Sequence, residues 1–600
     1  MTREQIKEHY LIAAEKFRLA ESKEDRLLIT LSVLRLILFV GGLILIWFAF
    51  SFSQLIGLLT SLAVISFFLF LLKQYAAHSV KKILLRNQGL INWNEAEAVS
   101  GNLSSFEPGE AYIDTTHDFS NDVDLFGNMS LFQYINRTIT GYGRDILASW
   151  ISDPFVLSNE LGNRQEAVKE VAAKMIWRQE FLAKGMSKEL EKSHISGILR
   201  WMGEKDNINS SKLGKALIYI LPPLAIVSLC LLVIGILPYQ VFVCFFLFNL
   251  FYITTGLKKI NGVHLVLSKK YEYLSSIDRL LKSFDNETFT SEILNEIKVN
   301  ISGDKVSANV AVKKLANLTQ TFDSRLNILV SFTLNGLLLW DYHSIRRLEK
   351  WKAEYKDQFP VWLEMLGVVD AYISLGNYTY NNTDFVFPVI SDRHTVFSAR
   401  NLGHQLIDES KRVSNDFTLA KSGTVCIITG ANMAGKSTFL RTIAINYILA
   451  MAGAPVCAKE MEFTPLKLFT SMRTTDSLSH NESYFYAELK RLKLLKLRIE
   501  SGELMFFILD EILKGTNSAD KSLGSGLFLK KLVELNATGL IATHDTSLGE
   551  MEKPNPGKVI NKCFEIEIDG EIIIFDYKLH EGITQKMNAA LLMRQMGILE

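Results

Sequence analysis

Cysteine is scarce. The 600-residue chain has five, Cys230, Cys244, Cys426, Cys457 and Cys563, and none forms a C-x-x-C pair. This spacing argues against a disulfide framework and a cysteine zinc site, and points to a reducing interior. An excess of either charge is also missing. Lys and Arg number 65 against 64 Asp and Glu, a formal net charge of +1. No global basic field therefore draws the chain onto nucleic acid. One local cluster, Lys490, Arg491, Lys493, Lys496 and Arg498, makes a basic helix face, which reads as solvated. There is no low-complexity tract. No cleavable signal peptide is expected, because Thr2 to Arg26 is a long charged segment that reads as an amphipathic helix.

Apolar residues are plentiful: 48% of the chain against 22% charged, a balance expected when membrane segments are joined to soluble domains. Leu36 to Phe50 and Leu55 to Leu72 form one close pair of apolar runs, the first extending back toward Leu27. Leu221 to Leu237 and Val241 to Ile253 form another. A membrane span needs about 20 mainly apolar residues, so the pairs read as two transmembrane hairpins. Arg35 can snorkel, and Tyr219 and Tyr252 sit at interfacial positions. Arg26, Lys73, Lys81, Lys82, Lys212, Lys215, Lys258 and Lys259 all flank the outer sides, whereas the tips Ser51-Phe52-Ser53 and Pro238-Tyr239-Gln240 carry no charge. The positive-inside rule puts both tips outside and the remainder in the cytoplasm. Leu326 to Trp340 is also apolar. It is short and contains Asn327, Ser331, Thr333 and Asn335, so it reads as a buried core helix.

Chemistry concentrates in the last third. Residues 430–438 read Gly-Ala-Asn-Met-Ala-Gly-Lys-Ser-Thr, the phosphate-binding pattern G-x-x-x-x-G-K-[ST]. Gly430 and Gly435 allow the turn that aims backbone N–H groups at phosphate. Lys436 supplies charge for the β- and γ-phosphates, and the Ser437 hydroxyl is placed for Mg²⁺. The β-rich run Thr424 to Thr429 precedes the loop, and a helical pattern follows from Thr438. Phosphate then sits at a helix N-terminus. A second apolar strand, Leu504 to Leu509, ends in Asp510-Glu511. Asp510 suits Mg²⁺ and Glu511 suits an attacking water. Leu540 to Thr543 leads into His544, which is placed to sense the γ-phosphate. These residues predict an ATPase using ATP and Mg²⁺.

The loop closely resembles the G-P-N-M-x-G-K-S-T of the MutS mismatch-repair ATPases, with Ala431 for Pro. Asp510 to Asn517 looks like that family's D-E-I-G-R-G-T-S, with Lys514 for Arg, and Thr543-His544 matches its A-T-H. Asp476 to Phe485 is similar to the stretch ending G-R-S-T-F. Upstream, Ser130-Leu131-Phe132, Asn136 to Thr140, Gly143-Arg144, Trp150, Pro154 and Arg164 to Val168 look like the opening of the MutS core. The resemblance covers roughly residues 120–200 and 360–600. It implies that Gly430, Ala431, Asn432, Met433, Ala434, Gly435, Lys436, Ser437 and Thr438 bind the triphosphate, and that Ser437 and Asp510 hold the metal. Glu511 and His544 act on the reaction, and Ser483 reaches the partner's nucleotide. The protein is then a homodimer with composite ATP sites. Asn415, in a segment like the family's V-P-N-D, lies close to the adenine. Arg412 stands near the usual aromatic position, where its guanidinium can stack on the base.

The expected fold is an α/β P-loop ATPase domain joined to an α-helical MutS core or lever domain, with two transmembrane helical hairpins. The expected segments begin with an N-terminal helix (1–26), a first hairpin (27–73) and a connector (74–115). A first stretch of helical core (116–213), a second hairpin (214–257), a second stretch of core (258–394) and the ATPase (395–600) follow. Ile583 to Leu599 looks like the family's closing helix. A hairpin and a short linker occupy the place of the mismatch-reading domain, no Phe-x-Glu element stands in the N-terminal region, and the second hairpin lies where the DNA clamp belongs. Three functions follow. The first is an inner-membrane, multi-pass ATPase, cytoplasmic at its ATPase end, whose dimer closure moves helical levers, with DNA left open as the partner. The second is a membrane-tethered binder of DNA mismatches or structures. The third is an ABC-type transporter, disfavoured because no L-S-G-G-Q stands between the loop and Asp510.

Overall fold

Two very long helices occupy the N-terminal hundred residues. α1 runs Arg3–Phe52 and α2 runs Gln54–Val99. A capping box starts α1: the Thr2 hydroxyl accepts from Gln5 N, and the Gln5 side chain accepts from Thr2 N. Extended Ser53 ends it, and its hydroxyl accepts from Leu55 N to begin α2. At 1.5 Å per residue, α1 is about 75 Å long. The sequence places boundaries after residues 26 and 73, but the helices run through both. The expected connector over 74–115 is helical as far as Val99. Neither charged stretch contains Pro, and Gly89 is the lone Gly, so nothing stops the helix. Between the charged halves, Glu24 binds Lys81 at 2.5 Å and His78 at 2.7 Å, and Asp25 binds Lys82. The apolar runs begin just beyond this clasp.

The computed structural model describes residues 1–186, 190, 192–204, 212–303, 306–391, 395–473, 484–569 and 572–585. A helical core follows the first pair: α3 (Leu131–Ile135), α4 (Gly141–Ser152), α5 (Ser158–Ala173), α6 (Met175–Gly185) and α7 (Lys192–Gly203). α8 (Lys212–Val233) and α9 (Tyr239–Thr254) make the second hairpin. The core resumes with α10 (Leu257–Leu267), α11 (Tyr271–Asp285), α12 (Glu292–Ser302) and α13 (Ala308–Asp323). α14 (Ile328–Leu338), α15 (Trp340–Tyr355) and α16 (Gln358–Asn381) complete it. By length and composition α1, α2, α8 and α16 are each able to cross a membrane, as is α9 taken with α10, from which it bends by 68°. The apolar window of α16 is 72% buried by protein, which makes it a core helix instead.

α16 is the post to which the other elements are tied. Tyr10 of α1 donates to Asn381 at 2.7 Å, and Asn381 donates to Glu95 of α2 at 2.8 Å. Glu95 in turn pairs with buried Arg137. Mid-helix, the Asp370 carboxylate accepts from Ile139 N, Thr140 N and the Thr140 hydroxyl, which fixes the start of α4. Full burial pushes its pKa up to about 7 despite these donors. A Cβ on Gly143 would lie 2.4 Å from Asp370 Oδ2. Gly143→Ala is therefore expected to cost about 1–3 kcal/mol by overpacking. A lower thermal unfolding midpoint in detergent checks this, and an unchanged midpoint contradicts it.

One helix departs from expectation. The segment Leu326 to Trp340, read as a buried core helix, forms α14, and much of its apolar surface is exposed. Its inner side packs on α8 and α9 rather than entering the core. The polar residues that make it look like a core helix serve its ends: Asn327 caps the N-terminus, and Asn335 accepts from Asp341 N.

The C-terminal region contains two larger sheets. One has the order β1 (Val389–Ile390), β5 (Glu460–Phe463), β2 (Phe397–Leu402), β3 (Asn415–Leu419). The other runs β12 (Leu579–Glu581), β9 (Val559–Phe564), β4 (Val425–Gly430), β8 (Thr538–Thr543), β7 (Met505–Asp510), β6 (Lys467–Ser471). β9 to β6 are parallel, and β12 is antiparallel. β4, β7 and β8 are buried throughout, so they read as unbroken apolar runs. α17 (Lys436–Met451), α18 (Tyr484–Glu500) and α19 (Ser518–Glu534) pack around the sheet. A small ribbon pairs β10 (Glu567–Asp569) with β11 (Ile572–Ile574).

The basic face of α18 is not wholly solvated. Arg491 donates to Thr470 O, His117 O and Asp118 O, and Arg498 pairs with Asp118 and Glu503. These arginines bracket the α/β domain to the loop before α3. Asp122 of that loop accepts from Thr470 Oγ1, Met472 N and Arg473 N.

Candidate functional site

Parallel register creates the site. Thr429 pairs with Thr543, and Asp510 with Ala542, so β4, β7 and β8 end together. Three chain segments meet at that edge: the glycine loop after β4, Asp510-Glu511 at the end of β7, and His544 after β8. A ligand crevice belongs at such a carboxyl edge. Gly430 (φ 159°) and Gly435 (φ 106°) form the turn, with Met433 also left-handed at φ 66°. A Cβ on Gly430 would come within 2.9 Å of Phe564 O, so only glycine fits there. α17 begins at Lys436, which aims its N-terminus at the loop.

The side chains interlock. Lys436 Nζ donates to Gly430 O (2.8 Å) and Ala431 O (2.9 Å) and lies 3.3 Å from His544 Nδ1. The Ser437 hydroxyl donates to Asp510 Oδ2 at 2.5 Å. Hydroxyl and carboxylate oxygens are the hard donors that Mg²⁺ takes, and here they converge, so the pair fits that ion. His544 Nδ1 is 2.8 Å from Gly430 O, while its Nε2 binds Glu511. Glu511 (φ 54°) sits in a left-handed turn, with Lys521 3.8 Å away. The His544 hydrogen bond holds the Glu511 carboxyl down to about 2, against the opposing effect of burial.

Burial, only partly countered by Glu511 and Asp510, holds the Lys436 ammonium down to about 8. Its protonated form is the one that attracts phosphate, and that form is lost as pH rises through 8. Nucleotide affinity is therefore expected to fall about tenfold per pH unit above 8 and to be flat below 7. Titration of a fluorescent ATP analogue at pH 6.5 to 9.5 checks this, and Lys436→Ala should abolish the slope.

A cavity of about 520 Å³ adjoins this edge. Asn432, Met433, Gly435, Lys436, Ser437, Thr438, Glu511 and His544 line it, as does Asn415. Asn415 donates to Tyr577 O and accepts from Leu579 N, so it shapes the wall by holding that segment. Ala431 and Ala434 are buried in the loop. Arg412 is not brought in. Its guanidinium lies 2.7 Å from Cys457 Sγ, over the Phe385 ring and 4.0 Å from Asp384, behind the wall formed by Lys411 and Val413. The expected stacking on adenine through Arg412 therefore has no geometric basis. Tyr577, His404, Phe439 and Phe564 supply ring faces in the cavity. Burial pushes the His404 imidazole down to about 4. Ser483 lies outside the described residues, as does the expected closing helix beyond Gln585.

Sequence reasoning missed Glu488. Buried on α18, it accepts from Leu513 N (2.6 Å) and Lys514 N (3.0 Å) and so fixes the turn that follows Glu511. Its one sequence signal is that it is the sole acid between Tyr484 and Arg498. His404 and Tyr577 carry no motif.

The arrangement is that of a helical core bearing a mixed α/β domain. The family model described as MutS domain III matches residues 113–375, and the one described as MutS domain V matches residues 426–596, together well over half of the chain. A DNA mismatch repair protein MutS from Thermotoga maritima is 30% identical over 241 residues, covering 39% of this chain and 29% of the relative. DNA mismatch repair protein MSH3 from Eremothecium gossypii is 32% identical over 259 residues, covering 42% and 24%. Human MutS protein homolog 4 is 30% identical over 219 residues, covering 35% and 23%. The chain belongs to the MutS family as a MutS-like member. It spans less than a third of the length of these relatives.

Proposed function

We propose that this chain is a Mg²⁺-dependent P-loop ATPase, anchored in the cell's inner membrane by two helical hairpins with its ATPase domain in the cytoplasm. It works as a homodimer with composite ATP sites, and ATP-driven closure moves the helical core. The observation that carries the reading is the shared edge of β4, β7 and β8, where Lys436, the Ser437–Asp510 pair and the Glu511–His544 pair meet. In this reading the loop N–H groups and Lys436 bind phosphate, and Ser437 and Asp510 hold Mg²⁺, which neutralises phosphate charge. A carboxyl held near 2 is a weak base, so Glu511 has to exchange His544 for water before it can accept a proton. His544 is positioned to make that exchange depend on the γ-phosphate, because it touches both the loop carbonyl and Glu511.

Membrane anchoring is supported by the exposed apolar lengths of α1, α2, α8 and α9. A second reading, a tethered DNA mismatch or structure binder, is favoured by the names of the relatives. One assay separates the two. Protein purified in detergent is tested for Mg²⁺-dependent ATP hydrolysis with no DNA and with matched, branched and mismatched duplexes at near-physiological salt. The first reading expects hydrolysis that ignores mismatches, and Lys436→Ala should weaken ATP binding at least about tenfold. Clear preference for mismatched duplex promotes the second reading. Hydrolysis unchanged by Lys436→Ala overturns the site.

A further inference from the structure

α14 has eleven residues, Ile-Leu-Val-Ser-Phe-Thr-Leu-Asn-Gly-Leu-Leu, with no charge. At about 16 Å it reaches only half of a bilayer core of about 30 Å. Its inner face is fixed to the second hairpin. Phe332 packs on Phe246 with ring centroids 5.2 Å apart, and Asn249 donates to Gly336 O at 2.8 Å. Gly336 permits this approach, since a Cβ there would lie 2.2 Å from the Phe246 ring. The outer face is left bare: Ile328 is 83% exposed and Leu329 78%, with Leu326, just before the helix, at 57%. α9, on which this helix packs, itself exposes Leu247, Phe248 and Phe251.

Both ends of the segment return to one level. Arg325 Nε pairs with Asp341 Oδ2 at 3.1 Å, which closes the base of the excursion across α14. A segment tied in this way does not cross a membrane. Its helix ends are also satisfied internally: the Asn327 side chain accepts from Leu329 N and Val330 N, and Leu339 N donates to Asn335 O. Internal satisfaction of this kind is what hydrocarbon demands. Beyond the C-terminal end lies a belt of rings and guanidinium groups, with Arg346 4.6 Å from the Tyr219 ring and Arg347 5.9 Å from the Trp340 ring. Aromatic and cationic groups of this sort gather at headgroup level.

From this we infer that α14 is a membrane-embedded helix that does not span. It lies at the headgroup–acyl boundary beside the second hairpin, its outer face on lipid. The inference rests on reading that hairpin as a membrane span. Lipid is the occupant because the bare helix packs on a hairpin that is itself apolar and exposed, and because Arg346 and Arg347, beyond its C-terminal end, suit phosphate headgroups. Such a placement also explains how a fifth apolar segment joins the membrane without exporting the domain that follows it.

The test places an environment-sensitive fluorescent amino acid in the full chain, singly, at Leu329, at Val227 of α8 and at Val299 of α12. Each variant is reconstituted in phosphatidylcholine–phosphatidylglycerol vesicles. Quenching is read with chain-brominated lipids, carrying bromine near the headgroup or near the bilayer centre, and with aqueous iodide. Leu329 should resist iodide and be quenched at least about twofold more by the shallow bromine than by the deep one. Val227 should show the reverse depth preference, and Val299 should respond to iodide alone. Iodide quenching at Leu329 with lipid quenching at Val227 would overturn the inference and leave the hairpin reading standing. Iodide quenching at Val227 would overturn the hairpin reading itself. A Leu329 label shielded from iodide and from both bromines would also overturn the inference, since the face would then be covered by a second copy. Equal or stronger quenching by the deep bromine would overturn the boundary position.

Discussion

Glu511→Gln is expected to leave ATP binding intact and to lower hydrolysis by about 10²–10⁴-fold, the usual contribution of a positioned general base. The amide keeps the size and left-handed turn of the native side chain and can still meet His544 Nε2. It cannot accept the proton of an attacking water. Neither the glycine loop nor the Ser437–Asp510 pair depends on it, so affinity should change little. Equilibrium titration of a fluorescent ATP analogue, alongside steady-state phosphate release, separates the two effects. Wild-type turnover in this variant would remove Glu511 from the chemistry.

The second large effect concerns sidedness. Cysteines introduced at Ser51 and Gln240 should react with an impermeant thiol reagent on intact cells, whereas one at Ser437 should react only after permeabilisation. The unmodified chain gives the background from Cys230 and Cys244. The physical ground is the surface that α1 and α2 present: Trp47 is 72% exposed and Phe52 78%. Apolar surface of this extent, on two helices that pack chiefly on each other among the described residues, is what the proposed membrane hairpin requires. In the proposed hairpin, the Glu24, Asp25, His78, Lys81 and Lys82 clasp lies at the polar end of both spans. Release into the soluble fraction by carbonate wash would sink the membrane reading.

The elements of the site that are contiguous in sequence are legible there. Gly430 to Thr438 and Asp510-Glu511 each carry their chemistry in a short run, and buried parallel strands betray themselves as apolar stretches that end in polar residues. What the sequence conceals is long-range. Glu488 fixes the turn after Glu511 from a different helix, and His404 and Tyr577 enter the cavity from segments without a motif. Arg412 misleads because adjacency in sequence does not set side-chain direction: Lys411 and Val413 face the cavity while Arg412 turns toward Cys457. α14 misleads for a related reason. Its asparagines look like core polar groups, but they serve as caps and ties. The continuity of the helices through residues 26 and 73 is invisible in the sequence because a change of solvent preference is not a change of backbone conformation.

The unbroken length of α1 and α2 carries a mechanical consequence. Their inner ends are pinned to α16 through Tyr10, Asn381 and Glu95, and each rod is continuous helix up to the Ser53 turn. If the proposed closure moves α16, a stiff pair of this kind is an amplifier. Tilting a rod of about 75 Å by about 5° at its base sweeps the far end through about 6 Å, more than one helical turn. Sub-ångström repacking around α16 would thus emerge at the Ser53 tip as a displacement large enough to rearrange neighbouring lipid or protein.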